Sequence, residues 1–332
     1  MGQSGRRRWV FASAALFALP ITAAAQPAKR MPLVATLLGP AGTDKEVVAR
    51  TVALEKRLAE LGWTRGRNIR FEYRYGGGVE SKLPGLAKEL LALGPDVVVA
   101  GGTAAATAFR QQTLTVPIVF AQVSDPVSAR LVTNLARPEG NITGFTNYDY
   151  GMAEKWLETL KELAPRTNRV SVLFDPGNPS WIGFLRVLEG SARKFGVTLT
   201  LGGVRTPADI DEHLAAFAKT PQDGLIVIPG VLMTNNRAQI ISLAARHRLP
   251  AIYPYGFYTT SGGLMSYGVR LLDLYSGAAV YVDRILRGAK PADLPIQNPI
   301  TFELTLNAKT AKALGLSVPP ALMARVDRVI DQ

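Results

Sequence analysis

The chain contains no cysteine. That excludes disulfides, thiol nucleophiles and thiolate metal sites, and it removes the residue through which a lipid would be attached at an export cleavage site. Histidine is nearly absent too, with only His213 and His247 in 332 residues. His213 lies among acids in DIDEHLAAF, where it is solvated or locally paired. His247 falls in the last turn of a helical stretch, where its charge suits the helix dipole. Neither has a metal or triad partner near it in sequence. A complete phosphate loop, a G-x-G-x-x-G, a G-x-S-x-G elbow and an H-E-x-x-H are missing. Asp209 and Asp211 fall at a helix start and read as caps, so no cofactor and no covalent chemistry are expected. Hydrolysis by two distant acids that meet in a cleft stays open. Although the formal charge is +12, no dense basic patch alternates with aromatics, which argues against nucleic-acid binding.

What is present begins with an export signal. Arg6, Arg7 and Arg8 precede an apolar run over residues 9–21, and Ala23-Ala24-Ala25 before Gln26 fits an A-x-A cleavage site. The run is shorter than the roughly 20 residues a membrane helix needs, and it contains Pro20. Residues 1–25 are therefore expected to be a cleavable signal peptide, and the mature chain a soluble periplasmic protein without a lipid anchor.

Residues 94–109, GPDVVVAGGTAAATAF, hold the centre of the remaining pattern. Val97, Val98 and Val99 read as a strand buried on both faces, Gly101 and Gly102 break it, and Thr103 stands where it can cap an alanine-rich helix. A strand that stops in glycines and feeds a helix leaves backbone N–H groups at the sheet edge, a place where small anionic or polar ligands dock. Before it come the strand LVATLL, a helix from 43 or 44 to 61 with Val47, Leu54, Leu58 and Leu61 inward, the strand IRFEYRY and a helix over 81–93. After it comes the strand PIVFA. This βαβαβαβ order predicts a parallel sheet with helices on both faces.

Turn formers crowd residues 137–144, and then the pattern restarts. Strands are expected at RVSVLF, at 197–201, at 224–228 and at 251–253, separated by helices. Two such units with no long linker predict two α/β lobes enclosing a cleft. The last quarter departs from the rhythm: a short strand LMSY, a helix near 271–286, proline-punctuated residues 291–299, the strand 301–306 and a helical tail over 321–330. Several crossings between lobes would form a hinge. Trp181, Tyr255, Phe257 and Tyr267 lie near predicted strand ends or turns, beside Thr103, Gln122, Asp125, Asn147 and Asn178. Rings with a few fixed polar groups suit a small ligand with an apolar body and a charged head.

Nearly all of the mature chain resembles the periplasmic solute-binding components of ABC importers, in particular the tryptophan- or phenylalanine-binding members. The segments that carry the resemblance are ELGWTRGRNIRFEYRY, PDVVVAGGTAAATAF, VPIVFAQVSDPV, LARPEGNITGF, RLPAIYPYGFYTTSGGLMSYG, YVDRILRGAKPADLPIQNP and FELTLNAKTAKALGLSVPPALMARVDRVI, in this order. It implies a type I periplasmic binding protein fold of two Rossmann-like lobes joined by three crossovers. One lobe would comprise 31–143 with 262–289 and the other 144–256 with 300–332, with crossovers near 141–146, 255–263 and 290–300. It also implies ligand contacts at Gly39, Thr103, Ala104, Gln122 and Asp125 from the first lobe. Asn147, Asn178, Gly230 and Tyr255 would come from the second, and Tyr267 would return from the first. Thr103 would hold a carboxylate and Asp125 an amine. Trp181, in DPGNPSW, and the aromatic PYGFYTTSGG turn depart from the relatives. The implied ligand is an aromatic amino acid or an aromatic carboxylate. The implied partners are permease subunits with a cytoplasmic ATPase, served by a monomer. A ligand-sensing protein of the same fold that feeds a membrane receptor is the alternative, with a cleft enzyme behind it.

Overall fold

Valine- and leucine-rich runs become the strands of two separate sheets. The computed structural model describes Met1 and residues 30–178, 180–220 and 223–331, so the expected signal peptide lies outside the described residues apart from Met1. The first part of the chain runs β1 (Leu33–Leu38), α1 (Lys45–Glu60), β2 (Arg70–Tyr75), α2 (Leu83–Ala92), β3 (Val97–Gly101), α3 (Thr103–Arg110), β4 (Ile118–Val123) and β5 (Ile142–Thr146). These strands form a five-stranded sheet in the order β2-β1-β3-β4-β5, all parallel. Every residue of β1 is buried. Alternate side chains go to opposite faces: Ala35 and Leu37 join the core of α2 and α3, while Val34 and Leu38 join Leu54 and Leu58 of α1.

The chain then continues through α4 (Met152–Leu163), β6 (Arg169–Phe174), α5 (Trp181–Ala192), β7 (Thr198–Gly203), α6 (Pro207–Phe217) and β8 (Asp223–Val227). Next come α7 (Val231–Asn235), α8 (Arg237–Arg246), β9 (Ala251–Tyr253), α9 (Gly256–Thr260), β10 (Met265–Val269) and α10 (Leu271–Leu286). The chain ends in β11 (Phe302–Asn307), α11 (Ala308–Ala313), α12 (Pro320–Met323) and β12 (Arg328–Ile330). The second sheet has seven strands in the order β12-β11-β10-β9-β8-β6-β7, and only the β10–β11 pair is antiparallel. Behind it, Trp156 of α4 is 1% exposed and donates its indole N–H to the Tyr267 carbonyl at 2.7 Å. Its ring lies 5.3 Å from Phe184 and 6.0 Å from Tyr148. His213 is locally paired, with Nε2 2.8 Å from the buried Ser171 hydroxyl, and burial lowers its pKa.

Three segments carry the chain between the sheets: the one after β5, the one between β10 and α10, and the one ahead of β11. The last of these first runs beside β5, where Gln297 donates its N–H to Gly144 O at 3.0 Å and Thr146 returns one to Gln297 O at 2.9 Å.

Three expectations change. Residues 262–289 do not belong together: β10 pairs with β9 and β11 in the second sheet, and only α10 packs on α1, β4 and β5 of the first lobe. That crossing therefore lies at Arg270, while 256–260 within the expected 255–263 crossing form α9. The tail is not a helix over 321–330; α12 stops early and β12 pairs with Thr305, Leu306 and Asn307. The turn-rich 137–144 segment already contains the start of β5, and Gly144 lets it lie against β4, since a Cβ there would collide with the Phe120 carbonyl.

Candidate functional site

The strand-to-helix turn after β3 is shaped by two glycines with different jobs. A Cβ on Gly101 would sit 2.6 Å from the Tyr275 hydroxyl, so the bare backbone is what lets α10 approach β3. Gly102 has φ 101° and ψ 166°, a conformation open essentially to glycine, and it is the N-cap of α3. Thr103 is therefore the first helical residue rather than the cap. The first-turn N–H groups of a helix lack intrahelical acceptors. Here that end of α3 opens on a cavity of about 440 Å³, which Thr103, Ala104, Thr107 and Ala108 line from one side.

β4 supplies the next wall. Its pairing with β5 shifts register between Ala121 and Val123, and Gln122, at the irregularity, takes φ 66°. Such a bulge re-aims a side chain, and Gln122 lines the cavity together with Ser124. The second lobe faces it with Asn178 beyond β6, Gly230 and Val231 at the start of α7, and Tyr255 beyond β9. The Tyr255 hydroxyl accepts from Gln122 Nε2 and from Asn147 Nδ2, each at 3.1 Å. The floor is thus a polar bridge between lobes. Tyr255 is held from behind by Tyr148 at 5.8 Å and Phe257 at 5.2 Å.

Arg50 of α1 reaches the same floor. It is 3% exposed, its Nη1 donates to Gln122 Oε1 at 3.3 Å, and among the described residues its Nε and Nη2, with Tyr275 a longer contact, have no partner within hydrogen-bond distance. The Asn147 Oδ1 and the Tyr275 hydroxyl are likewise buried without one. Glu80 also lines the cavity, with its pKa raised by burial and by the charge of Asp175.

Two further contacts tie the lobes. Arg237 of α8 donates to Asp44 at 2.8 Å, and Asp44 also caps α1 by accepting from the Glu46 N–H at 2.8 Å. Burial pushes the Asp44 pKa up, but the Glu46 N–H, Arg237 and the charge of Arg50 outweigh it and hold the carboxyl below its ordinary 3.8. A depressed folded-state pKa gives stability that is fully present above 3.8 and is lost as pH falls through the lower folded value. Acid titration is therefore expected to remove the stability contributed by this pair as pH falls below 3.8 toward the lower folded value. In Asp44→Asn that part of the acid limb should be missing when melting is followed against pH; an unchanged limb would locate the acid sensitivity elsewhere.

The second contact involves Asp125. Its Oδ1 accepts from the Val127 and Ser128 N–H groups at 3.1 and 2.9 Å, and its Oδ2 from the Tyr150 hydroxyl at 2.9 Å. Burial raises its pKa, yet the bonds from Ser128, Tyr150 and Val127 prevail and lower it.

Of the residues expected at the site, Thr103, Ala104, Gln122, Asn147, Asn178, Gly230 and Tyr255 line one cavity. Four do not. Asp125 is not free for an amine, because its carboxylate caps the next turn and holds Tyr150. Gly39 stops beside the cavity: its neighbour Pro40 lines it, and a Cβ on Gly39 would meet Val231 at 3.6 Å. Trp181 stacks on Phe174 with ring centroids 4.4 Å apart and packs the second lobe. Tyr267 sits on β10 opposite Leu304, its ring 5.9 Å from Phe302, and belongs to the second sheet rather than the first lobe. Phe257 is 7% exposed and backs Tyr255 instead of lining the cavity. The sequence reading passed over Arg50 and Glu80. Arg50 had a signal, since it falls on the apolar stripe Val47, Thr51, Leu54, Leu58 at helical spacing.

With this geometry in place, comparison with known proteins is informative. Residues 46–330 match the family described as ABC transporter substrate binding protein. A curated "Tyrosine-binding protein" from Clostridioides difficile is 24% identical over 261 residues, 79% of this chain and 75% of the relative. A conserved domain protein from Vibrio cholerae superposes with a TM-score of 0.84 at 27% identity, covering 90% of this chain and 100% of its own. An ABC domain in complex with L-Trp from Streptococcus pneumonia gives a TM-score of 0.83 at 24% identity, covering 90% of this chain and 99% of its own.

Proposed function

The chain belongs to the ABC transporter substrate-binding protein family, and on that premise we propose that its interlobe cleft captures a small aromatic amino acid or aromatic carboxylate for an importer. The fold is that of the type I periplasmic binding proteins, two α/β lobes joined by chain crossings. The family is non-catalytic and extracytoplasmic, and it serves a membrane permease with its ATPase. In this chain the positive, apolar and small-residue pattern of residues 1–25 supports export to the periplasm through a cleaved signal.

The observation that carries the reading is the cavity of about 440 Å³ with walls from both lobes. That volume lies in the range of small-ligand pockets, roughly 300–1,000 Å³. Leu83, Pro84, Ala104, Ala108 and Val231 give it apolar walls, while Tyr255, Gln122 and Asn147 fix polar positions on its floor. A ligand touching both walls favours the form in which they are close, so its binding energy drives closure about the crossings. The tyrosine-binding and L-Trp-bound relatives support an aromatic body for the ligand.

A ligand that binds only the folded chain stabilises it by about 2.7 kcal/mol at 100 times its Kd. A thermal-shift screen of aromatic amino acids and aromatic carboxylates against residues 26–332 is therefore expected to raise the melting temperature for at least one compound, recovered unchanged afterwards. A flat screen would refute the aromatic reading, and turnover of the compound would refute the binding role.

A further inference from the structure

Arg50 is costly where it stands. A guanidinium that is 3% exposed, with Nε and Nη2 unpartnered and a single long bond from Nη1 to Gln122, is a buried cation whose hydrogen-bonding capacity is mostly unspent. The charge of the nearby Asp44 acts on it, but the hydrogen bonds of that carboxylate go to Arg237 and to the α1 N-terminus. Its other neighbours are hydroxyls and amides. Its charge acts on the buried Tyr148 and Tyr275 hydroxyls, Tyr275 also takes a long side-chain contact from it, and Gln122 leads on to Tyr255 and Asn147. Arg50 also lines the cavity, with Nε and Nη2 shielded from solvent behind its surface, so a ligand carboxylate would reach them by displacing what covers them.

The identity of the free atoms narrows the chemistry. Nε and Nη2 share one in-plane edge of the guanidinium, the edge that takes both oxygens of a carboxylate. Nη1, the atom outside that edge, is the one used by Gln122. Glu80 also lines the cavity and feels the charge of Asp175, so a second carboxylate on the ligand that came near them would meet like charge. We propose that Arg50 anchors the carboxylate of the cleft ligand through its Nε–Nη2 edge, which makes the protein a receptor for organic monocarboxylates and a poor one for their neutral analogues. This rests on the reading of the cleft as the ligand site, and it moves the charge-reading role from Thr103 to Arg50. Thr103 and the start of α3 then face another part of the ligand.

The test pairs each carboxylate with its uncharged carboxamide. L-Tryptophan, phenylacetate, benzoate and the aliphatic hexanoate are titrated by calorimetry beside L-tryptophanamide, phenylacetamide, benzamide and hexanamide, against the wild type, Arg50→Gln and Arg50→Lys. The wild type is expected to prefer the acid of a bound pair by at least about 100-fold, the scale of a buried charge-assisted contact. Arg50→Gln should erase that preference while still binding the amide, and Arg50→Lys should restore part of it. Ligand-free Arg50→Gln should melt at or above the wild-type temperature, because an unpaired buried cation has been removed. Amides that bind the wild type as tightly as acids would overturn the proposal and leave the cleft reading intact. So would an acid preference unchanged in Arg50→Gln. If hexanoate binds through Arg50 and no aromatic compound does, the anchor stands and the aromatic reading falls.

Discussion

Trp156→Ala is expected to lower the unfolding free energy by about 3–5 kcal/mol, the usual range for emptying the site of a large buried ring. The indole is 1% exposed and packs on Tyr148 and Phe184, and its N–H holds the Tyr267 carbonyl at 2.7 Å. The substitution removes the ring contacts and leaves that carbonyl without its donor. The damage also travels toward the cleft, because Tyr148 is the ring that separates Trp156 from Tyr255. Affinity for the ligand should therefore fall along with stability. Chemical denaturation gives the first quantity and calorimetry at a temperature where the variant is folded gives the second. Trp156→Phe, which keeps most of the packing, should recover the greater part of both. A loss below 1 kcal/mol would mean that the cluster collapses around the gap and that Trp156 is not its centre.

Gly102→Ala should cost about 1–3 kcal/mol for a different reason. No atom lies within 4 Å of the position a Cβ would take there, so the methyl group meets nothing. What it meets is its own backbone, at φ 101° and ψ 166°. The chain can relieve that strain only by rotating the peptide that launches α3, which moves Thr103 and Ala104 in the cavity wall. Stability and ligand affinity should both drop, without any change at a contacting side chain. Gly85→Ala in α2 is the matched control: the site is equally open and lacks the positive φ, so the exchange should be neutral or stabilising by about 0.4–1 kcal/mol. Equal effects at the two glycines, read from denaturant midpoints, would dismiss the conformational argument.

These two sites also show which parts of the molecule can be read from the chain and which cannot. The strands buried on both faces, such as Leu33–Leu38 and Val97–Gly101, announce themselves as mostly apolar runs, and the glycines at the end of β3 mark the turn at once. Most of the expected residues that line the cavity follow strand ends or start a helix, where topology alone dictates exposure to the cleft, whereas Gln122 lies inside β4 and owes its direction to the bulge. The failures share a cause. Tyr267 and Trp181 are rings near strand or helix ends, and their direction depends on pairing with β11 and on the packing of Phe174, neither of which is local in sequence. Asp125 has the same neighbours in sequence whether it caps a turn or receives a ligand amine, and only the position of Tyr150 distinguishes the two. Arg50 is hidden by expectation. A charge in an amphipathic helix is assumed to face water, yet this one lies on the stripe that α1 presents to the core. The lobe assignment of β10 failed because a strand carries no mark of the sheet it will join.

Among the described residues, contacts that bind lobe to lobe are made by the protein's own side chains: Asp44 with Arg237, Asp125 with Tyr150, and Tyr255 with Gln122. In a receptor that hinges about its crossings, each of these bonds favours the shut form whether or not cargo is aboard. Strengthening them would slow release and tighten retention, but it would also raise the share of unloaded receptors that resemble loaded ones, and every such receptor competes for the same docking face on the transporter. Grip and false delivery thus rise together. In a receptor of this kind, the strength of such lobe-to-lobe bonds would set the balance between an importer starved by leaky capture and one idled by empty callers.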